Sequence, residues 1–110
     1  MAAMSKKKPR PIPVPAQRID NLVDAHTHFA SCKATDKEDI DALVARAVDA
    51  GVEKICTVGD GLGEAELALK AAHLNDRVWA ACAIHPTRAD ELDEHARARL
   101  TDMAQDLSLI

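Results

Sequence analysis

Two histidines two positions apart, His26 and His28, close the short run VDAHTHFA at residues 23–30. On an extended strand alternate side chains share a face. The alternation therefore predicts that His26 and His28 point the same way, together with Leu22 and Asp24. Two neutral imidazoles on one face supply half of a divalent-metal ligand set. Each ring would then need its second nitrogen fixed by a carboxylate, a carbonyl or water. Asp24, one step back, is the candidate for that supporting role, beside its plainer reading as a strand-end carboxylate. On a surface loop the pair would carry no chemistry. Two more polar positions matter: Asp60 follows the run VEKICTVG, and His85 ends the run RVWAACAIHP. His73 and His95 fall within helical patterns and read as solvated surface residues.

The surrounding elements must hold these groups. IDNLVDAH reads as a strand beginning at Ile19. TDKEDIDALVARAVDAG reads as a helix, with Thr35 and Glu38 spaced as a capping box. Its apolar stripe is Ile40, Leu43, Val44, Ala47 and Val48, and Gly51 is the stop. Residues 52–59 form a β-branched strand, and residues 64–75 a second helix with Leu67, Ala68, Ala71 and Leu74 on one face. Residues 77–86 are nearly all apolar and end at proline, as a strand buried on both faces would. Thr87 with Asp90 then predicts the cap of a third helix, whose inward stripe is Leu92, Ala96, Leu100, Met103 and Leu107. Strands alternating with helices through short loops predict right-handed crossovers and a parallel α/β sheet. In such folds chemistry sits at the carboxyl ends of the strands. His26 with His28, Asp60 and His85 occupy those three ends.

Composition narrows the function classes. The 110 residues suffice for one small domain, and 29% charged residues is ordinary for a globular chain. One Phe and one Trp are the only aromatics, so alanine packing must fill much of the core. The formal net charge of −4 offers no bulk attraction for nucleic acid or an acidic membrane. A metal ion can still engage phosphate locally. Cys32, Cys56 and Cys82 form no CxxC and read as small buried hydrophobes in a reducing cytoplasm. No stretch approaches the roughly 20 apolar residues of a membrane span, which points to a cytoplasmic protein without membrane partners. Residues 1–18, with Lys6, Lys7, Lys8, Arg10 and alternating prolines, read as a flexible arm ahead of a domain at 19–110. GDGLGE at 59–64 lacks the spacing of a nucleotide fingerprint and the lysine of a P-loop.

VDAHTHF, AGVEKICTVG and ALKAAHLNDRVWAACAIHP, in this order, resemble the opening third of the TatD family of metal-dependent deoxyribonucleases. The likeness covers about residues 20–107. It implies a TIM-like (β/α)₈ barrel that hydrolyses phosphodiesters, DNA among them, with one or two divalent cations of the Mg, Mn or Zn class. By position His26 and His28 match first-strand metal ligands, and His85 matches a histidine bordering the substrate pocket. Ala30 and Ala83 stand where the family often has aspartate and glycine. A full barrel takes about 250 residues, so the chain is expected to hold the first three βα units of an incomplete barrel. The family's strand-four glutamate, two later histidines and final aspartate fall outside that span. The expectation is a hydrolase fragment that is inactive by itself, with two outer strands exposing unpaired groups. An amidohydrolase-type barrel fragment acting on C–N bonds, and a non-catalytic α/β fragment, are the rival readings.

Overall fold

In the computed structural model, residues 7–110 are described. Residues 7–19 carry no secondary structure and lie exposed, Ile12 and Val14 included. The basic arm read from the sequence begins before this region, and its first six residues lie outside the described ones. Its last residue is tied down: Arg18 pairs with Asp20 at 2.6 Å and donates to Val48 O and Asp49 O at 3.1 and 2.6 Å. Those carbonyls close the first helix, where a guanidinium satisfies orphan acceptors and meets the negative end of the helix dipole. Removing the arm through Gln17 is therefore expected to leave the thermal midpoint nearly unchanged. A fall of many degrees in a melting curve would show that the arm packs on the domain.

The element order is β1 (Leu22–Thr27), α1 (Lys37–Asp49), β2 (Val52–Gly59), α2 (Leu62–Leu74), β3 (Val78–Cys82) and α3 (Glu94–Met103), with a 3₁₀ turn at Pro86–Glu91. The three strands form one parallel sheet in the order β1-β2-β3. This is the opening of a TIM-like barrel, with the sheet not closed. Helices cover one side. Ile55, Val78 and Ala80 from the sheet meet Ile40, Val44, Ala68, Ala71 and Ala72 from α1 and α2, and Phe29 and Ala34 join the same core. The other side is open: Val23 is 64% exposed and Trp79 36%, with Lys54 Nζ 5.7 Å from the Trp79 ring centre. Strand β3 is thus buried on one face only, although its apolar run would suit a strand covered on both.

Several local expectations are corrected. Asp36, not Thr35, caps α1: its Oδ1 accepts from Asp39 N at 2.8 Å. The residues after Pro86 form the 3₁₀ turn in place of an α-helical start, and α3 begins later, capped by Asp93 accepting from Ala96 N at 2.8 Å. Leu92 and Leu107 consequently fall outside α3 and are exposed. Gly51 does end α1, with φ +98°, and an added Cβ there would lie 1.8 Å from Ile19 O. Cys32 is exposed, while Cys56 is buried and Cys82 half-buried. Burial pushes the Cys56 thiol up, with the Asp24 carboxylate adding to it, and pushes Cys82 up to about 11. His73 is not simply solvated but pairs with Asp106 at 2.7 Å. The Ser108 amide, assisted by His73, holds the Asp106 carboxyl below its usual range. That turn delivers residues 108–110 to the outer edge of β3, where Ala80 N donates to Ser108 O at 2.9 Å and Ile110 N to Ala80 O at 2.8 Å. One of the two edges expected to be bare is therefore partly paired, by a parallel bridge between Ala80 and Leu109.

Candidate metal centre

The path of β1 sets the histidines. Asp24 stands beside Ile55 and Thr27 beside Thr57, with a register shift between them. Two residues, Ala25 and His26, thus oppose the single Cys56, which is a β-bulge. Ile55 and Thr57 are buried on the helix-covered side, and parallel neighbours in register share a face. His26 and His28, flanking Thr27, therefore project to the open side. Asp24 does not share their face, contrary to simple alternation. Its Oδ1 accepts the His26 amide at 3.1 Å, so the Asp24 contact runs to the backbone and not to a ring.

Past β1 the chain makes a tight turn. Ala34 N donates to Phe29 O at 3.1 Å and Lys33, at φ 57°, completes the reversal. Phe29 is fully buried and its amide donates to the Thr57 hydroxyl at 3.1 Å. The residue after His28 is thereby fixed in the core by side chain and backbone together.

The two imidazoles converge. His26 Nε2 lies 3.2 Å from His28 Nε2, with ring centres 5.0 Å apart and planes at 63°. His28 Nδ1 lies 2.9 Å from Val58 O. A carbonyl only accepts, so Nδ1 carries the proton and His28 Nε2 presents a bare lone pair in the neutral ring. This backbone contact plays the fixing role that the sequence reading offered to Asp24. Asp60 Oδ2 is 3.6 Å from the same Nδ1. Two nitrogens each bound to one tetrahedral ion at about 2.0–2.1 Å stand about 3.3 Å apart. With His28 Nε2 bare, the 3.2 Å contact is a hydrogen bond donated by His26 Nε2–H, and the same spacing suits a shared cation once His26 carries its proton on Nδ1 instead. Among the described residues, no group of three or more His, Cys, Asp and Glu side chains is placed to hold a metal ion.

His85 is oriented differently. Its Nδ1 accepts from Thr87 N at 3.2 Å and lies 2.7 Å from Thr87 Oγ1. With Nδ1 an acceptor of an N–H, the neutral ring carries its proton on Nε2 and offers a donor outward. Its loop is joined to the loop after β2, since His85 N donates to Asp60 O at 2.8 Å. Arg88 closes the junction: Nη1 reaches Glu64 Oε1 at 3.0 Å, the guanidinium also pairs with Glu91, and Glu64 Oε2 accepts from Asp60 N at 3.1 Å. An added Cβ on Gly61 would lie 2.4 Å from Arg88 Nη2, so a larger residue there would push the guanidinium aside. Sequence reasoning did not find Thr57, Val58 O or the Arg88–Glu64 pair. Thr57 had one signal, a polar residue on the inward spacing of an apolar strand. Val58 O had none, because it is a backbone atom. Grooves of about 170 and 260 Å³ lie beside Trp79 and between α2 and α3, and neither is lined by His26, His28 or His85.

Comparison with known proteins adds an independent line. Residues 23–109 match the TatD related DNase family. The chain is 49% identical over 79 residues to a protein of Mycobacterium tuberculosis named as an uncharacterized metal-dependent hydrolase TatD, a match covering 72% of this chain and 30% of that protein. It is 34% identical over 67 residues to a 3′-5′ ssDNA/RNA exonuclease TatD of Enterobacter lignolyticus, covering 61% of this chain and 26% of that protein. The chain thus spans less than a third of the length of these relatives.

Proposed function

Because the chain belongs to the TatD related DNase family, we propose that it supplies the first part of the site of a metal-dependent phosphodiesterase acting on nucleic acid. His26 and His28 hold a divalent cation of the Mg, Mn or Zn class, and His85 contacts the substrate. The observation that carries this reading is the pair of converging Nε2 atoms, 3.2 Å apart, with the His28 tautomer set by Val58 O. The cation, when bound, polarises a phosphoryl oxygen and lowers the pKa of water beside it. The chain's own residues do the positioning. Val58 O keeps the lone pair of His28 directed at the cation. Thr87 holds His85 so that its Nε2–H is available to a phosphate oxygen, which a neutral donor orients without needing a basic surface. That suits a chain of net charge −4. Domain 19–110 carries these groups.

The test is cleavage of end-labelled single-stranded DNA and RNA, with and without Mn²⁺, Mg²⁺ or Zn²⁺. A longer polypeptide that continues the barrel beyond Ile110 should cleave in a cation-dependent way and stop with a chelator. The 110-residue chain alone should not turn over, since catalytic sites of this kind use three or more protein ligands. Hydrolysis of C–N substrates without phosphodiester cleavage would favour the amidohydrolase reading instead. Chelator-insensitive cleavage would end the metal reading.

A further inference from the structure

The bulge in β1 has a cost and a purpose. Strict alternation would keep His26 and His28 on the face of Asp24, which stands beside the buried Ile55. A slip of one residue sends every later side chain to the opposite face. Without the extra residue, both imidazoles would point into the packing beneath α1 and α2. With it, Ala25 and His26 are exposed and Thr27 returns to the covered side beside Thr57. A bulge leaves a backbone amide without a ladder partner. Here the His26 amide finds one in Asp24 Oδ1 at 3.1 Å. An aspartate accepting the N–H two residues on is a local turn that competes with regular pairing.

We propose that Asp24 is a positioning residue: its side chain acts through the His26 amide to hold the bulge that turns both imidazoles onto the open face. This rests on the reading of His26 and His28 as ligands and adds how they come to converge. Asp24 touches neither cation nor substrate. What the site needs from it is one oxygen acceptor at a fixed place. Its negative charge is not required, so asparagine should serve and alanine should not.

The experiment compares the parent chain with Asp24→Asn and Asp24→Ala, reading Zn²⁺ affinity by titration and exchange of the His26 amide by NMR. Loss of outer contacts to metal ligands typically weakens binding about 10–100-fold. Asp24→Ala should fall in that range and speed exchange of the His26 amide, while Asp24→Asn stays close to the parent on both readouts. Equal losses in Asn and Ala would assign the effect to charge and overturn the proposal. So would an Ala variant that binds Zn²⁺ like the parent. Should Asp24→Ala fail to fold, the parent decides: a His26 amide exchanging as fast as an unstructured one overturns the proposal. If the parent takes up no Zn²⁺, the ligand reading fails, while amide exchange in the three chains still tests the bulge directly.

Discussion

Phe29→Ala is expected to lower the unfolding free energy by about 3–5 kcal/mol, the usual range for emptying a fully buried phenylalanine site. Phe29 is 0% exposed and sits in the cluster with Ile40, Val44, Ile55 and Ala68. It is the only phenylalanine in the chain, in a core otherwise made largely of alanine and short aliphatic residues. Such neighbours have few atoms with which to close a vacated volume, so the cost should not relax away. Small domains hold about 5–15 kcal/mol in all, so the variant loses a large share of its stability. The loss also reaches the site. Phe29 follows His28 directly, and its amide is bonded to Thr57. A loosened residue 29 frees the backbone that aims the His28 ring. Urea unfolding followed by circular dichroism measures the change as a fall in midpoint at unchanged slope. A fall worth less than about 1 kcal/mol, below the range for such truncations, would contradict the burial of Phe29. Phe29→Leu, which keeps most of the volume, should cost markedly less.

The alternation of strands and helices was legible because each element carries its own period. The α1 stripe of Ile40, Leu43, Val44, Ala47 and Val48 packs as its spacing implies, and Gly51 stops the helix where only a residue free to take positive φ fits. Errors fell at element ends, where neighbouring residues compete for the same cap. Thr35 and Asp36 are both good N-cap types, and only the bond from Asp39 N selects Asp36. After Pro86 a local motif promised an α-helix, yet Arg88 sits at φ −120° and ψ 24°, out of helical range, with its guanidinium engaged by Glu64 and Glu91. That Glu64 contact spans 24 residues and leaves no trace in a short window. The histidine pair was legible by type and spacing, but its aim was not. Alternation put Asp24 on the same face, whereas a bulge is a relation between two strands and has no period of its own. The group that fixes the His28 tautomer is a carbonyl, Val58 O, which every residue possesses and no residue type announces.

His28→Ala is expected to weaken Zn²⁺ binding by at least the roughly tenfold that loss of an outer contact costs, and His26→Ala to do the same. Both follow from one geometric fact. The Nε2 atoms stand 3.2 Å apart, within hydrogen-bond distance and close to the spacing one shared ion would need, so either deletion leaves a lone imidazole. Binding in the parent chain should itself be weak, because zinc sites hold three or four protein ligands and no third His, Cys, Asp or Glu joins the pair among the described residues. Affinity must therefore be compared between variants and not judged by its absolute size. His85→Ala supplies the contrast. Its Nδ1 is taken by Thr87 and its Nε2 carries a proton in the neutral ring, so the residue presents a donor where a ligand needs a lone pair. Zn²⁺ binding should be unchanged by His85→Ala, while cleavage of single-stranded DNA, measured in a polypeptide that continues the barrel, should fall. Calorimetric titration of Zn²⁺ into the parent and the three variants separates the roles. Equal losses in His85→Ala and His28→Ala would place His85 among the ligands and break the distinction drawn from the two tautomers. Unchanged binding in both His26→Ala and His28→Ala would remove the metal centre from β1 altogether, leaving the bulge to be explained by packing alone.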